Sequence, residues 1–212
     1  NIGRDWGNGG GTFNEQNGEV EFDTVNCTNS FAEPFYDVRV SGTLTLGAAL
    51  DVNNDLIISG TLDVNAANHA VTVAHDWNNG GTFTARNGTV TFDGAGESGT
   101  LTTGGTGAGQ DFYNLVVNDG GGAASTYTLA NNSLVSNDLT VTDGELDTAT
   151  YNLQVSGTTA LVDTNGTLDF SNSAGADVLN IDAVLDVNGS LLGGAGNIQA
   201  SENVDFTGGS FT

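Results

Sequence analysis

The sequence predicts an all-β chain: a β-solenoid (parallel β-helix) of about seven to ten coils, with little or no helix. Three observations predict it. Short apolar/polar alternations recur along the whole chain, each bounded by turn residues. Blocks of several such strands recur in the same order. There are 32 glycines and one proline, which suits many tight corners and argues against a Pro-rich linker. Coils of about 20 to 30 residues, of either hand, spaced by about 4.8 Å, would make a rod on the order of 35 to 50 Å long.

The strands come in order as TLTL (43–46), DLIIS (55–59), TLDV (61–64), AVTV (70–73), TVTF (89–92), NLVV (114–117), DLTV (138–141), NLQV (152–155) and TLDF (167–170). Each places an apolar side chain at alternate positions, the period of a pleated strand. The one stretch with a helical look, ADVLNIDAVLDV (176–187), is rich in Val, Asn and Asp and runs into the Asn-Gly turn at 188–189, so it is read as strand.

The repeats carry the architecture. With one glycine gapped out, the stretches from Arg4 and from His75 pair 19 positions, of which 12 are identical. Asn-Gly-x-apolar-x-Phe occurs from Asn17, Asn87 and Asn165, 70 and 78 residues apart. FYDVRV from Phe35 returns as FYNLVV from Phe112. NNDLIISGTLDV from Asn53 returns as SNDLTVTDGELD from Ser136, and DFTGGSFT from Asp205 echoes the opening block. The chain is therefore read as one solenoid domain, 1–212, with copies at about 4–74 and 75–157 and a degenerate one at 158–212. Insertions are placed in Gly-rich stretches such as 94–110. Trp6 and Trp77, Phe13 and Phe83, Val20 and Val90, and Phe22 and Phe92 are expected to point inward, with Thr and Asn outside or in turns. Two tryptophans at matching repeat positions read as core, not as a platform for stacking sugars.

Charge narrows the function. Twenty-six acidic residues face three arginines, Arg4, Arg39 and Arg86, giving a net charge of −23 without a single lysine. Such a surface repels nucleic acid and anionic membranes, which need cationic side chains. It keeps a protein soluble and draws divalent cations. Missing lysine excludes a lysine isopeptide crosslink or Schiff base. No apolar run approaches a membrane span. Cys27 is the only cysteine, so no intrachain disulfide forms. It reads as a small buried residue, since neither His69 nor His75 pairs with it locally.

No cofactor is expected, and calcium is the one ion considered. Neither an EF-hand loop nor the Gly-Gly-x-Gly-x-Asp nonapeptide occurs. Asp51, Asn53 and Asp55 in DVNND, and Asp163, Asn165 and Asp169 in DTNGTLD, cluster oxygen ligands within a turn and are the weak candidates. Asn-x-Ser/Thr triplets at Asn26, Asn87, Asn131, Asn165 and Asn188 double as turn chemistry.

The ordered blocks DWNNGGTFTARNGTVTFDG, FYNLVV, NDLTVTDGELD and YNLQVSG resemble the Gly/Thr/Asn-rich repeats of large secreted bacterial surface proteins and adhesins. The resemblance runs from about Arg4 to Val155 and fades after Asp186. It implies a parallel β-helix, an extracellular or cell-surface setting and a structural or adhesive role, and it carries over no catalytic residue. The expected function is a non-catalytic stacking subunit of an extracellular fibre or stalk. The alternative is a segment of a large adhesin that binds carbohydrate or surfaces. A polysaccharide lyase would need a base, and only the three arginines offer one; hydrolysis by paired carboxylates stays open. Ice binding would need stacked Thr-x-Thr pairs, and the pairs starting at Thr43, Thr82, Thr89, Thr100, Thr126, Thr140 and Thr148 follow no coil period.

The absence of methionine reads as a mature or excised piece. The first residues already lie inside a repeat and the last ones echo them, without a capping pattern. Head-to-tail stacking of copies is the expected partner interaction.

Overall fold

The computed structural model describes residues 1–212 except Asn8, 121–123 and 173–177. It is an all-β parallel solenoid of about nine turns, with no helix among the described residues. The strands stack in three ladders. In the first, Val38 pairs with Leu56, Leu56 with Trp77, Trp77 with Leu101 and Leu101 with Leu129, coils of 18, 21, 24 and 28 residues. The second begins Cys27–Leu44–Leu62–Phe83, with steps of 17, 18 and 21. It is interrupted after Thr82–Thr84 and resumes with Ser133–Val135, Leu153–Val155, Val178–Ile181 and Asn197–Ala200. The third stacks Phe35, Val52, Val73, Phe92, Val117, Val141, Val162 and Val187 in register.

The early coils are shorter than expected because their corners are short. Ser41-Gly42 and Ser59-Gly60 turn the chain between one strand and the next. Alternation does the rest: Thr43–Leu46 and Thr89–Phe92 bury every second residue. Every strand pairing among the described residues is parallel, and Val, Leu and Phe dominate the inward positions.

Corners are tied by a column of Asx side chains. Asp37 Oδ1 accepts the Asp55 N–H (3.2 Å) and Asn54 Nδ2–H (2.7 Å) from the coil above. Asp55 Oδ1 in turn accepts the Asp76 N–H (3.2 Å), and Asp76 Oδ1 accepts the Thr100 N–H (2.7 Å). Asn114 and Asp138 do the same at another corner. Backbone donors freed at each bend are thus satisfied by the coil below.

The duplicated opening block is a duplicated aromatic cluster. Trp6 meets Phe13 edge-on at 4.8 Å and Phe35 at 5.3 Å; Trp77 meets Phe83 at 4.9 Å and Phe112 at 5.2 Å. Phe22–Phe35 and Phe92–Phe112 match at 6.3 and 6.2 Å. The two clusters lie on different ladders, however. Trp6 bridges to the second ladder and Trp77 sits in the first; Phe22 is in the first and Phe92 in the third. Coils of unequal length do not divide the repeat into whole turns, so the copy is rotated about the axis. Trp77 is 1% exposed, whereas Trp6, Phe13 and Val20 are partly buried and pack against the core from the first coil. Cys27 is buried, as expected.

Some expectations need correction. Thr167–Asp169 of TLDF is the tail of an 11-residue strand, Thr159–Asp169, and Leu139–Val141 of DLTV opens the nine-residue strand Leu139–Asp147. Both run through a corner where Gly144, at φ 84, pairs with Gly166, so strand pairing survives the bend. The Gly-rich insertion 94–110 contains a strand, Gly99–Thr102. Asn29 and Asn79 point inward, not outward, because each satisfies backbone groups of the next corner. Asn29 Nδ2–H donates to the Ala48 and Ala49 carbonyls, and Asn79 Nδ2–H to that of Gly109. In the stretch with a helical look, residues 176 and 177 lie outside the described residues, and the rest is the strands Val178–Ile181 and Val184–Val187.

Candidate assembly surface

The last strands of the three ladders are Asn197–Ala200 in the second, Val204–Asp205 in the third and Ser210–Phe211 in the first. Val204, Phe206 and Phe211 are 44%, 38% and 56% exposed there. Phe211 stacks on Phe170 at 6.5 Å and touches Phe206 at 6.2 Å, which forms a small aromatic platform. At the opposite edge Ile2 and Trp6 join the first and second ladders through isolated bridges. Trp6, Phe13 and Val20 leave apolar surface open, and the Trp6 indole N–H is buried with no acceptor among the described residues. Apolar side chains that are exposed or only partly buried thus lie on the first and the last coils described.

The flanks are polar. Thr43, Thr61 and Thr82 stack in one row of the second ladder, beside a row of Thr28, Thr45, Asp63 and Thr84. Counting Thr-x-Thr pairs in sequence missed this array, because the middle coil reads Thr-x-Asp and the coils differ in length. Asp63 is held below the usual carboxylate range by the Arg86 guanidinium, bonded at 2.6 and 2.8 Å. Arg39 pairs with Glu19 at 3.0 Å. A shallow groove of about 440 Å³ lies where the second ladder is interrupted, lined by Thr82, Thr84, Arg86, Gly109 and Asp111. Phe83 beneath it is buried, so the groove presents no aromatic platform to a sugar.

The calcium candidates also make hydrogen bonds and ladder contacts within the fold. Asn53 donates to Glu15 Oε1 at 2.8 Å, and burial together with the Glu15 charge raises the Asp51 pKa. Asp163 Oδ1 accepts the Thr164 N–H, Asp169 Oδ1 the Ser171 N–H, and Asn165 pairs with Asp143 along the ladder. Asp55 is drawn instead to His75 Nδ1, at 2.6 Å, with Asp76 at 3.7 Å. Sequence spacing could not find this grouping, since a coil of 21 residues separates Asp55 from Asp76. Burial lowers the His75 pKa, but the Asp55 hydrogen bond and the charges of Asp76, Asp55 and Glu97 outweigh it, and the net shift is upward.

This sets a pH dependence. A group whose folded pKa is raised stabilises the fold below its unfolded value, and that contribution is lost as pH rises through the folded value. For His75 the loss begins above about pH 6.5. Burial and neighbouring carboxylates also raise Asp51, Asp93 and Glu145, whose contributions are lost above about pH 4. The melting temperature is therefore expected to climb as pH falls from 8 to 5, with His75→Asn flattening the part above about pH 6. A melting temperature that drops steadily over that range would contradict the assignment. Compared with known proteins, the chain matches no family model, no curated protein and no solved structure.

Proposed function

We propose that this chain is a non-catalytic structural module, a rod that extends end to end as the stacking subunit of an extracellular or cell-surface fibre. One observation carries the reading: parallel strands stack in register along three ladders for about nine turns, a rod with an apolar core and no catalytic motif in its sequence. A second copy would set Ile2 and Trp6, on the first and second ladders, with Phe13 beside them, against Val204, Phe206 and Phe211. Such a contact is heterologous and does not close, so it propagates. The net charge of −23 would keep flanks apart and direct association to the ends. Secretion rests on the resemblance to bacterial surface repeats. The alternative is a stretch of a longer adhesin whose neighbouring coils cover both edges covalently.

Light scattering and electron microscopy of the purified chain separate the two. Stacking predicts concentration-dependent rods growing in steps on the order of 45 Å, from about nine turns spaced by one strand separation. Phe206→Glu with Phe211→Glu is expected to hold the chain monomeric without altering its circular dichroism. A wild-type monomer that persists at high concentration would overturn self-stacking.

A further inference from the structure

We infer that Asp55, His75 and Asp76 form a binding site for a divalent first-row transition ion. Their ligand atoms all lie within 4.8 Å of one another, on two successive coils. His75 Nδ1 is 2.6 Å from Asp55 Oδ1 and 3.7 Å from Asp76 Oδ1. Donors bound at about 2.0–2.1 Å in a tetrahedron stand about 3.3 Å apart, a separation these two distances bracket. An ion would therefore take the place of the Nδ1 proton after a small adjustment of side chains that are one-third exposed or more.

Both carboxylates are already aimed. The Asp76 N–H fixes Asp55 Oδ1 and the Thr100 N–H fixes Asp76 Oδ1, the kind of outer support that orients metal ligands. The coil below shows what the corner needs without a metal. There Asn54 Nδ2–H donates to Asp37 Oδ1 at 2.7 Å, in the relation that His75 has to Asp55. A neutral amide meets the structural demand, so the imidazole adds a basic nitrogen that the corner does not require. In the first copy of the repeat, Arg4 and Asp5 stand where His75 and Asp76 stand in the second. A guanidinium cannot ligate a cation, so the site belongs to one copy alone. One imidazole with two carboxylates suits zinc and its neighbours better than calcium, which prefers an all-oxygen set.

Isothermal titration of the intact chain with Zn²⁺ tests this, with visible absorption of the Co²⁺ form as a second readout. One saturable equivalent is expected at neutral pH, weakening as pH falls because the proton competes. His75→Asn keeps the corner hydrogen bond and is expected to fold normally, yet to weaken binding more than about 100-fold, beyond the usual outer-shell effect. His69→Asn is expected to leave it unchanged. Equal affinity in wild type and His75→Asn would mean diffuse attraction to an acidic surface and would overturn the site. So would the absence of saturable binding, or a Co²⁺ spectrum identical in the two proteins.

Discussion

Trp77→Ala is expected to lower stability by about 3–5 kcal/mol, measured as a shift of the urea midpoint at unchanged slope. The indole is 1% exposed, stacks in register between Leu56 and Leu101, and sits edge-on to Phe83 and Phe92 with Phe112 tilted against it. Removing it empties a slot that rigid parallel ladders cannot collapse around, so the cavity cost adds to the lost transfer free energy. Trp6→Ala is expected to cost less, because Trp6 is only partly buried against the core. Thr89 lies on the outer side of its strand, with Oγ1 accepting from Asn114 Nδ2–H at 3.3 Å, and Thr89→Ala is expected to stay under about 0.5 kcal/mol. Equal small effects for Trp77 and Thr89 would reverse the inward and outward assignment.

The same residues show what could be read from the chain alone. Alternation around Val90 and Phe92 reveals a strand and its buried face, because the pleat has a fixed period of two. The repeat reveals stacking, because a recurring set of strands must bury its face against a copy. What the sequence hides is phase. Whether Thr43 stacks on Thr61, or Asp55 meets His75, depends on the residues spent at each corner, and successive coils take 18, 21, 24 and 28. Similar blocks therefore land on different ladders. Asn79 is hidden in the same way: a polar residue looks outward until the corner carbonyl it satisfies is known. The cluster of Phe170, Phe206 and Phe211 was likewise hidden, since Phe170 and Phe211 meet only once their coils are stacked.

Gly60→Ala is expected to destabilise by about 3 kcal/mol or more, at or beyond the upper end of ordinary overpacking. Gly42, Gly60 and Gly81 form a column at one corner. A Cβ on Gly60 would lie 1.9 Å from the Gly42 carbonyl oxygen and 2.7 Å from that of Ser41. Gly42 and Gly81 are as crowded, at 2.1 Å from the Thr24 oxygen and 2.2 Å from the Gly60 oxygen. The obstacles are backbone, so no side chain can swing aside. They are also engaged: the Gly42 carbonyl accepts the Thr61 N–H at 2.8 Å, and the Gly60 carbonyl accepts the Thr82 N–H at 2.8 Å. Making room at one coil therefore breaks the hydrogen bonds that join it to the next, and the shift propagates along the column. Gly80, next to Gly81 in sequence, is the control. Its nearest neighbour would be the Ile58 oxygen at 3.9 Å, ordinary contact, and Gly80→Ala is expected to change stability by less than about 1 kcal/mol. Because a loss of this size lowers the yield of folded protein, folded yield and the circular dichroism melt are compared for both variants. If Gly60→Ala folds and melts like Gly80→Ala, the corners are not stacked backbone on backbone, and the coil register must be redrawn.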